Sequence, residues 1–220
     1  MGQTLVTGAN RGIGLELCKQ LKARGAEVIA VCRKASPELE ALGVRVESGI
    51  DVSDAGSVKE LAQRLSGVSL DLLINNAGIL RGENLAALDF DGIAEQFEVN
   101  AMGPLRVTAA LAPLFSKDAK VAIITSRMGS MADNGSGGYY GYRMSKAAVN
   151  AAGVSLARDM KTRGVAVALL HPGMVATEMT GKNGIPADES VRGLLARIDA
   201  LTLETSGKFF HAGTGEELPW

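Results

Sequence analysis

The sequence predicts an α/β protein with a doubly wound parallel sheet of about seven strands, flanked by helices. Short apolar segments alternate with longer, helix-like segments along the whole chain. Several short segments, such as residues 121–124, are apolar throughout, which is typical of strands covered by helices on both faces. With 220 residues and no obvious linker, we expect a single domain over residues 1–220 with a Rossmann-type sheet.

The predicted elements alternate in order along the chain. The strands are predicted at residues 4–7, 27–31, 44–47, 70–74, 121–125, 165–170 and 208–210. The helices are predicted at residues 12–24, 55–65, 90–115, 141–163 and 188–201. Gly25 and Gly164 suit the ends of two helices, and Asp54 suits the start of another. Pro104 is expected to bend or break the long helix at residues 90–115, and residues 130–141 and 181–188 are expected to be loops.

Composition and charge exclude several classes of protein. A net charge of −1 favours neither nucleic acid nor an anionic membrane as a partner. No apolar segment approaches the ~20 residues of a membrane span, and the chain enters a strand without a signal-peptide pattern. We therefore expect a cytoplasmic protein without a membrane partner. Cys18 and Cys32 show no metal-ligand or disulfide spacing, so we expect buried thiols and no metal.

A glycine run follows the first strand and opens the first helix. Gly8, Gly12 and Gly14 allow a tight turn, close approach to a pyrophosphate and tight packing of the helix on the sheet. The helix N-terminus adds unpaired N–H groups and the positive end of its dipole. Turn glycines are common, but the position in the first βα turn favours a dinucleotide site.

The end of the second strand carries basic residues where an NAD site usually carries an acid. Arg33 can pair with a 2′-phosphate, and Arg11 from the glycine run can converge on it. The sequence therefore favours NADP(H) over NAD. The alternative is that Arg33 and Lys34 are solvated loop charges.

Ser126, Tyr142 and Lys146 form the second informative group. Tyr142 and Lys146 are four residues apart in a helical segment and share a face, and Ser126 ends the fifth strand. A nearby ammonium is expected to lower the pKa of the phenol and make it a general acid–base. The Ser126 hydroxyl can hold a substrate oxygen. Together with the glycine run, this group predicts a nicotinamide-dependent oxidoreductase.

These motifs resemble the short-chain dehydrogenase/reductase family over nearly the whole chain. Residues 7–14 match its glycine loop, and residues 75–78 match its N-N-A-G segment. Residues 171–177 resemble its P-G-x-x-x-T segment, and Asp51–Val52 resembles its adenine-contacting pair. The match to its catalytic tetrad is Asn100, Ser126, Tyr142 and Lys146. The cofactor contacts implied are Gly8, Asn10, Arg11, Gly12, Ile13, Gly14, Arg33, Asp51, Val52, Asn76, Ala77, Gly78, Tyr142, Lys146, Pro172, Gly173, Val175 and Thr177.

The resemblance also implies roles. Tyr142 would donate a proton to a carbonyl oxygen, Ser126 would position the carbonyl, and Lys146 would bind the nicotinamide ribose. Asn100 would hold a water that links Lys146 to solvent. Thr177 and residues 172–175 would hold the carboxamide. Two departures are a 16-residue gap from Ser126 to Tyr142 and a short segment after Thr177, which implies an open pocket.

Residues 126–130, 207–210 and 218–220 resemble the C-factor and sniffer-type carbonyl reductases, a group associated with NADPH. The leading expectation is an NADPH-dependent reductase of a small aldehyde or ketone. A cofactor-bound signalling or interaction protein is the alternative, and an epimerase or dehydratase is a third. A homo-oligomer, a dimer or a tetramer, could form through the two long helices.

Other residues near the expected site can be interpreted as functional or as structural. His171 and His211 have no partner at ligand spacing, so neither is expected to bind metal. Arg127 could attract an acidic substrate, bridge subunits or form a structural ion pair. Methionines near the expected pocket suit apolar substrates but equally suit the core.

Overall fold

A computed structural model describes residues 2–220 and confirms the predicted α/β class. The strands all lie in one sheet. They are β1 (Gln3–Thr7), β2 (Glu27–Val31), β3 (Arg45–Glu47), β4 (Leu70–Asn75), β5 (Phe115–Ile124), β6 (Ala166–His171) and β7 (Phe209–His211). The strand order is β3-β2-β1-β4-β5-β6-β7, and every neighbouring pair is parallel. This is the doubly wound sheet that the alternation of segments predicts.

Helices cover both faces of the sheet. They are α1 (Gly12–Ala23), α2 (Pro37–Glu40), α3 (Ala55–Arg64), α4 (Phe90–Phe97), α5 (Gly103–Leu111), α6 (Tyr140–Asp159) and α7 (Ala187–Asp199). One apolar cluster joins α1, α2 and α7 to the sheet through residues such as Leu17, Leu39 and Leu194. A second cluster joins α3, α5 and α6 to the opposite face through residues such as Leu61 and Val149. The strands are therefore buried on both sides, which explains their apolar composition.

The predicted helical segment over residues 90–115 is confirmed up to residue 114, but it is interrupted before Pro104 rather than at it. α4 passes into a π-helical turn at Glu98–Met102, α5 follows, and β5 already begins at Phe115. The irregular turn comes before Pro104, which lies in the first turn of α5, where a missing N–H is tolerated. The polar residues 116–118 hide the early start of β5, because only its second half is an apolar run.

The short helix α2 is absent from the prediction, although its start carries a local signal. The Ser36 hydroxyl accepts a hydrogen bond from Leu39 N at 3.2 Å, and Pro37 occupies the first turn. Cys18 and Cys32 are buried free thiols, as predicted. Burial raises the pKa of Cys18 to about 12, so this thiol is unreactive at neutral pH. Within residues 2–220, no helix is long and apolar enough to cross a membrane.

Candidate active site

Four of the predicted site segments follow the carboxyl ends of β1, β4, β5 and β6, and Tyr142 and Lys146 lie on α6. The strand order reverses between β1 and β4, and ligands of doubly wound sheets bind at this reversal. The glycine loop leaves β1, Asn76 leaves β4, Ser126 leaves β5 and residues 172–177 leave β6. The topology thus gathers residues that are up to about 170 positions apart in the chain along one edge of the sheet.

The glycine loop forms a cradle whose backbone conformation and close packing require glycine at particular positions. Gly8 and Gly12 have positive φ angles of 64° and 53°. A Cβ on Gly14 would lie 2.2 Å from the carbonyl oxygen of Gly8, so only glycine fits there. Arg11 precedes α1 in extended conformation, and no side chain caps the helix. The first-turn N–H groups are therefore available, and the loop fits a dinucleotide pyrophosphate.

Asn76 and Thr7 bind the glycine loop to the end of β4. Asn76 Nδ2 donates to the carbonyl oxygens of Thr7 at 3.0 Å and Gly8 at 3.2 Å. The Thr7 hydroxyl in turn accepts from the backbone N–H groups of Asn76 at 3.0 Å and Ala77 at 3.1 Å. The predicted contact residues of the two segments are thus held as one unit. The structural part played by Thr7 is visible only in the structure.

The second strand end places Arg33 beside Asp51. Arg33 Nη1 lies 3.9 Å from Asp51 Oδ2, and the Arg33 side chain is 71% exposed. Partial burial acts to raise the pKa of Asp51, but hydrogen bonds from Ser53 and the Arg33 guanidinium outweigh it and hold the pKa below its usual value. Val52 is buried, and its side chain packs against Gly103 at the start of α5. The Arg33 guanidinium is therefore largely exposed to solvent after the carboxyl end of β2, with the Asp51 carboxylate at ion-pair distance.

The loop after β6 closes the opposite side of the cradle. Gly12 lies against Thr177, whose Cγ2 would be 3.3 Å from a Cβ at that position. Val175 forms a β-bridge with Ile185, which folds residues 175–185 back on themselves. Arg11 Nη1 lies 2.5 Å from Glu178 Oε2, and both side chains are mainly exposed. The predicted phosphate ligand Arg11 thus forms an ion pair across the cleft, which the sequence analysis did not anticipate.

Ser126, Tyr142 and Lys146 are brought together in a buried group. Each is no more than 8% exposed. The turn after Ser126 packs on α6 so closely that a Cβ on Gly129 would lie 2.8 Å from the Lys146 carbonyl carbon. This contact sets the end of β5 against the helix that carries Tyr142 and Lys146. Gly129 is a site-building residue that sequence reasoning missed.

Burial shifts the ionisation of Tyr142 and Lys146. It raises the pKa of Tyr142 to about 12, although the Ser126 hydroxyl opposes the rise. It lowers the pKa of Lys146 to about 8. Lys146 Nζ lies 5.7 Å from the centroid of the Tyr142 ring and donates to the carbonyl oxygen of Ile124 at 3.0 Å. The pKa of the phenol is therefore raised where the sequence analysis expects it to be lowered, because desolvation outweighs the opposing effect of the Ser126 hydroxyl.

Asn100 lies in the π-helical turn, and its side chain holds the β4–α4 loop. Its Oδ1 accepts from Ile79 N at 2.8 Å, and its Nδ2 donates to Ile79 O at 2.9 Å. Nδ2 also lies 3.1 Å from Ser145 Oγ on α6. Both polar atoms of the Asn100 side chain thus have hydrogen-bond partners. The backbone carbonyl of Asn100 receives no α-helical bond from position 104, because Pro104 has no N–H.

Arg127 forms structural ion pairs. Its Nε lies 3.0 Å from Asp133 Oδ2, and its Nη2 lies 3.6 Å from Glu216 Oε2. His171 and His211 pack edge to face, with ring centroids 5.1 Å apart. Burial, then His211, Arg127 and Lys146, lower the pKa of His171 to about 3, so it is neutral at physiological pH. Within residues 2–220, no cluster of three potential metal ligands is present.

The comparison with known families decides the assignment. The pattern of the short chain dehydrogenase family matches residues 3–186. The chain belongs to the short-chain dehydrogenase/reductase family. It is therefore an oxidoreductase of that family, as the glycine loop and the buried tyrosine and lysine predict.

Two curated relatives are similar in sequence. A 1-hydroxy-2-glutathionyl-2-methyl-3-butene dehydrogenase of Rhodococcus sp. (strain AD45) is 46% identical over 227 residues, which cover 100% of both chains. The C-signal of Myxococcus xanthus is 48% identical over 155 residues, which cover 69% of this chain and 93% of the relative. The second match confirms the resemblance to the C-factor group.

Two solved structures share the whole fold. The NADPH-bound carbonyl reductase from chicken fatty liver is 31% identical with a TM-score of 0.90, and the match covers 100% of this chain and 99% of that one. The carbonyl reductase Sniffer of D. melanogaster is 26% identical with a TM-score of 0.91 over 100% of both chains. The predicted likeness to sniffer-type carbonyl reductases is confirmed.

Proposed function

We propose that the protein is an NADPH-dependent carbonyl reductase that converts a small aldehyde or ketone to an alcohol. The observation that carries the proposal is the buried group of Ser126, Tyr142 and Lys146 beside an open glycine cradle. A phenol that can give up a proton, next to a nucleotide cradle, suits carbonyl reduction more than hydrolysis or group transfer.

The cradle residues suit NADP(H). The first-turn N–H groups of α1 would hold the pyrophosphate, and Asp51 and the residues around Asn76 would line the adenosine. Arg33 would take the 2′-phosphate, and Thr177 and residues 172–175 would hold the carboxamide. When bound, the nicotinamide supplies the hydride. The NADPH-bound chicken reductase, with the same fold, supports this choice of cofactor.

Each residue of the buried group has one task in the proposed reaction. The Ser126 hydroxyl holds the carbonyl oxygen in place. Tyr142 donates its phenolic proton to that oxygen, and its raised pKa keeps the phenol protonated at neutral pH, which is the form a general acid needs. Lys146 would hold the ribose hydroxyls and stabilise the phenolate left after donation. Asn100 keeps the β4–α4 loop against α6 and so supports the site.

The test is Tyr142→Phe, with Tyr140→Phe on the same helix as the matched control. We expect NADPH oxidation with a panel of α-diketones, quinones, aromatic aldehydes and carbonyl-bearing glutathione adducts to fall about 10²–10⁴-fold in Tyr142→Phe. Tyr140→Phe should keep nearly full activity. Equal turnover of Tyr142→Phe and the wild type would refute the proposal. The glutathione adducts are included because the Rhodococcus relative is named for a glutathionyl alcohol, and oxidation of such an alcohol gives a carbonyl of this kind.

A signalling or interaction protein is the second candidate function, and the likeness to the C-signal of Myxococcus xanthus favours it. In that case catalysis would be weak or irrelevant to the biological role. The two candidates differ in a cell that depends on this chain. If Tyr142→Phe restores the phenotype of a deletion strain as well as the wild type does, signalling is supported over reduction.

A further inference from the structure

Glu83 is a buried acid that the proposed chemistry leaves unused. It lies in the loop between β4 and α4 and is 7% exposed. Among residues 2–220, no Lys, Arg or His nitrogen lies within 4.0 Å of its carboxylate, because it takes part in none of the ion pairs. An unpaired buried carboxylate is costly unless hydrogen bonds satisfy it. The hydrogen-bond partners of Glu83 therefore indicate the role of this residue.

Two donors converge on the Glu83 carboxylate. Gln96 Nε2 donates to Oε1 at 2.6 Å, and the backbone N–H of Gly141 donates to Oε2 at 3.3 Å. The orientation of the Gln96 amide is fixed, because its Oε1 accepts from the backbone N–H of Arg81 at 2.9 Å. Position 83 therefore needs a side chain that accepts twice and donates nothing, which is a carboxylate rather than an amide.

The acceptor of Gly141 N–H matters because α6 lacks a cap of its own. Tyr139, the residue before the helix, has a positive φ of 51°, and its side chain makes no capping bond. The Tyr139 N–H instead donates to the Glu83 carbonyl oxygen at 2.8 Å. Backbone and side chain of Glu83 thus both bind the start of α6. A carboxylate at this end also complements the positive end of the helix dipole.

Gly141 shows how closely the two segments are fitted. A Cβ at this position would lie 2.5 Å from Gln96 Nε2 and 2.9 Å from Glu83 Oε1. The next residue in the chain is Tyr142. The group formed by Glu83, Gln96 and Gly141 therefore holds the helical turn from which the phenol projects.

We propose that Glu83 is a positioning residue for the reaction: it caps α6 from a separate loop and fixes the orientation in which Tyr142 donates its proton. The inference rests on the proposed carbonyl reduction. A misplacement of about 1 Å in a reacting group can cost on the order of 10²-fold in rate, so a loosened first turn should be visible in catalysis.

The experiment compares Glu83→Gln with Glu95→Gln. An amide at position 83 keeps the shape of the side chain. Its NH₂ group, however, would face either Gln96 Nε2 or the Gly141 N–H, which are both donors, so one of the two hydrogen bonds would be lost. Glu95 is an exposed acid on α4 whose carboxylate pairs with the guanidinium of Arg81, in the same loop as Glu83. We expect kcat of Glu83→Gln to fall about 10-fold, with a Kd for NADPH within twofold of wild type and a larger solvent isotope effect on kcat. Glu95→Gln should change none of these.

A readout without turnover separates this inference from the proposed function. Hydrogen exchange of the amides of residues 141–143 should be faster in Glu83→Gln than in the wild type, whether or not a substrate is known. If exchange accelerates in Glu83→Gln but the wild type reduces no carbonyl, the proposed function is refuted, while the capping of α6 by Glu83 is still supported. Unchanged kcat and isotope effect in an active Glu83→Gln would overturn the positioning role.

Gly141→Ala keeps the proposal testable if Glu83→Gln does not fold. The added methyl group on α6 would displace the side chains of Glu83 and Gln96 and so disrupt the same contact. The expected pattern is the same: lower kcat, a larger solvent isotope effect and unchanged NADPH affinity. A loss of NADPH affinity in parallel with kcat would instead indicate general damage to the fold and would contradict the proposal.

Discussion

At the scale of single residues, burial shifts the two central ionisable groups of the site towards their neutral forms. It raises the pKa of Tyr142 to about 12 and lowers the pKa of Lys146 to about 8. Both side chains are almost inaccessible to water, so the charged form of each is disfavoured. The protein thus carries a lysine whose burial costs stability, at a position to which the proposed reaction gives a role.

This cost predicts that Lys146→Met stabilises the fold while abolishing turnover. Each unit of pKa shift is worth about 1.4 kcal/mol, and loss of the bond to Ile124 offsets part of the gain. We expect the free energy of unfolding at pH 7 to rise by about 1–3 kcal/mol in urea titrations. An exposed control, Lys208→Met, should change stability little.

The stability difference between Lys146→Met and the wild type should depend on pH. The lysine is charged in both states below its folded pKa of about 8, so its full cost is present at pH 7. Between pH 8 and 10.5 the folded state releases the proton first, and the stability of the wild type rises with pH. The advantage of Lys146→Met should therefore shrink across this window. A variant less stable than the wild type at pH 7 would contradict this account.

At the scale of elements, the proposed cofactor cleft lies between the glycine loop and the loop after β6. The Arg11–Glu178 ion pair joins these two segments across it. Both side chains are mainly exposed, so the pair contributes little to stability. Its larger effect is electrostatic, because Glu178 places a negative charge beside a cradle suited to an anionic cofactor.

Glu178→Gln should therefore tighten NADPH binding. Loss of the carboxylate frees Arg11 for a phosphate and removes a repulsive charge. We expect the Kd for NADPH to fall about threefold at low salt, with a smaller effect in 0.5 M NaCl, measured by fluorescence titration. Glu189→Gln, an acidic residue on α7, is the control. Weaker binding by Glu178→Gln would show instead that the ion pair holds the cleft in its binding form.

Some elements of the fold and of the candidate site can be predicted from the sequence, and others cannot. The parallel sheet follows from the alternation of apolar runs with helical segments, and the candidate site residues follow from motifs that resemble those of a known family. Within residues 90–115, Pro104 signals an interruption of the helix, but its exact position at Glu98–Met102 was not predicted, because the contacts of Asn100 with Ile79 and Ser145 leave no periodic signal in the sequence. The cap by Glu83 was invisible for a similar reason, since its partners are 13 and 58 positions away.

At the scale of the whole molecule, the sheet reversal places one cofactor cleft between two apolar clusters that hold opposite helical layers. A ligand that contacts the ends of β1, β2, β4 and β6 links segments from both layers. Its binding should therefore stabilise the fold as a unit rather than one loop. Homodimer formation and a cytoplasmic location stay predictions.

This linkage predicts that NADPH raises the melting temperature more than NADH at equal concentration. At 100 times its Kd, a ligand of the folded state adds about 2.7 kcal/mol, which for a domain of this size is roughly 5–10 °C. The difference between the cofactors should come from Arg33, whose solvated guanidinium can pair with the 2′-phosphate. Arg33→Asp should abolish the advantage of NADPH, while Lys34→Asp, on the neighbouring side chain, should reduce it less. Equal shifts by the two cofactors in the wild type would assign Arg33 and Lys34 to the solvated surface and remove the basis for NADP(H) preference.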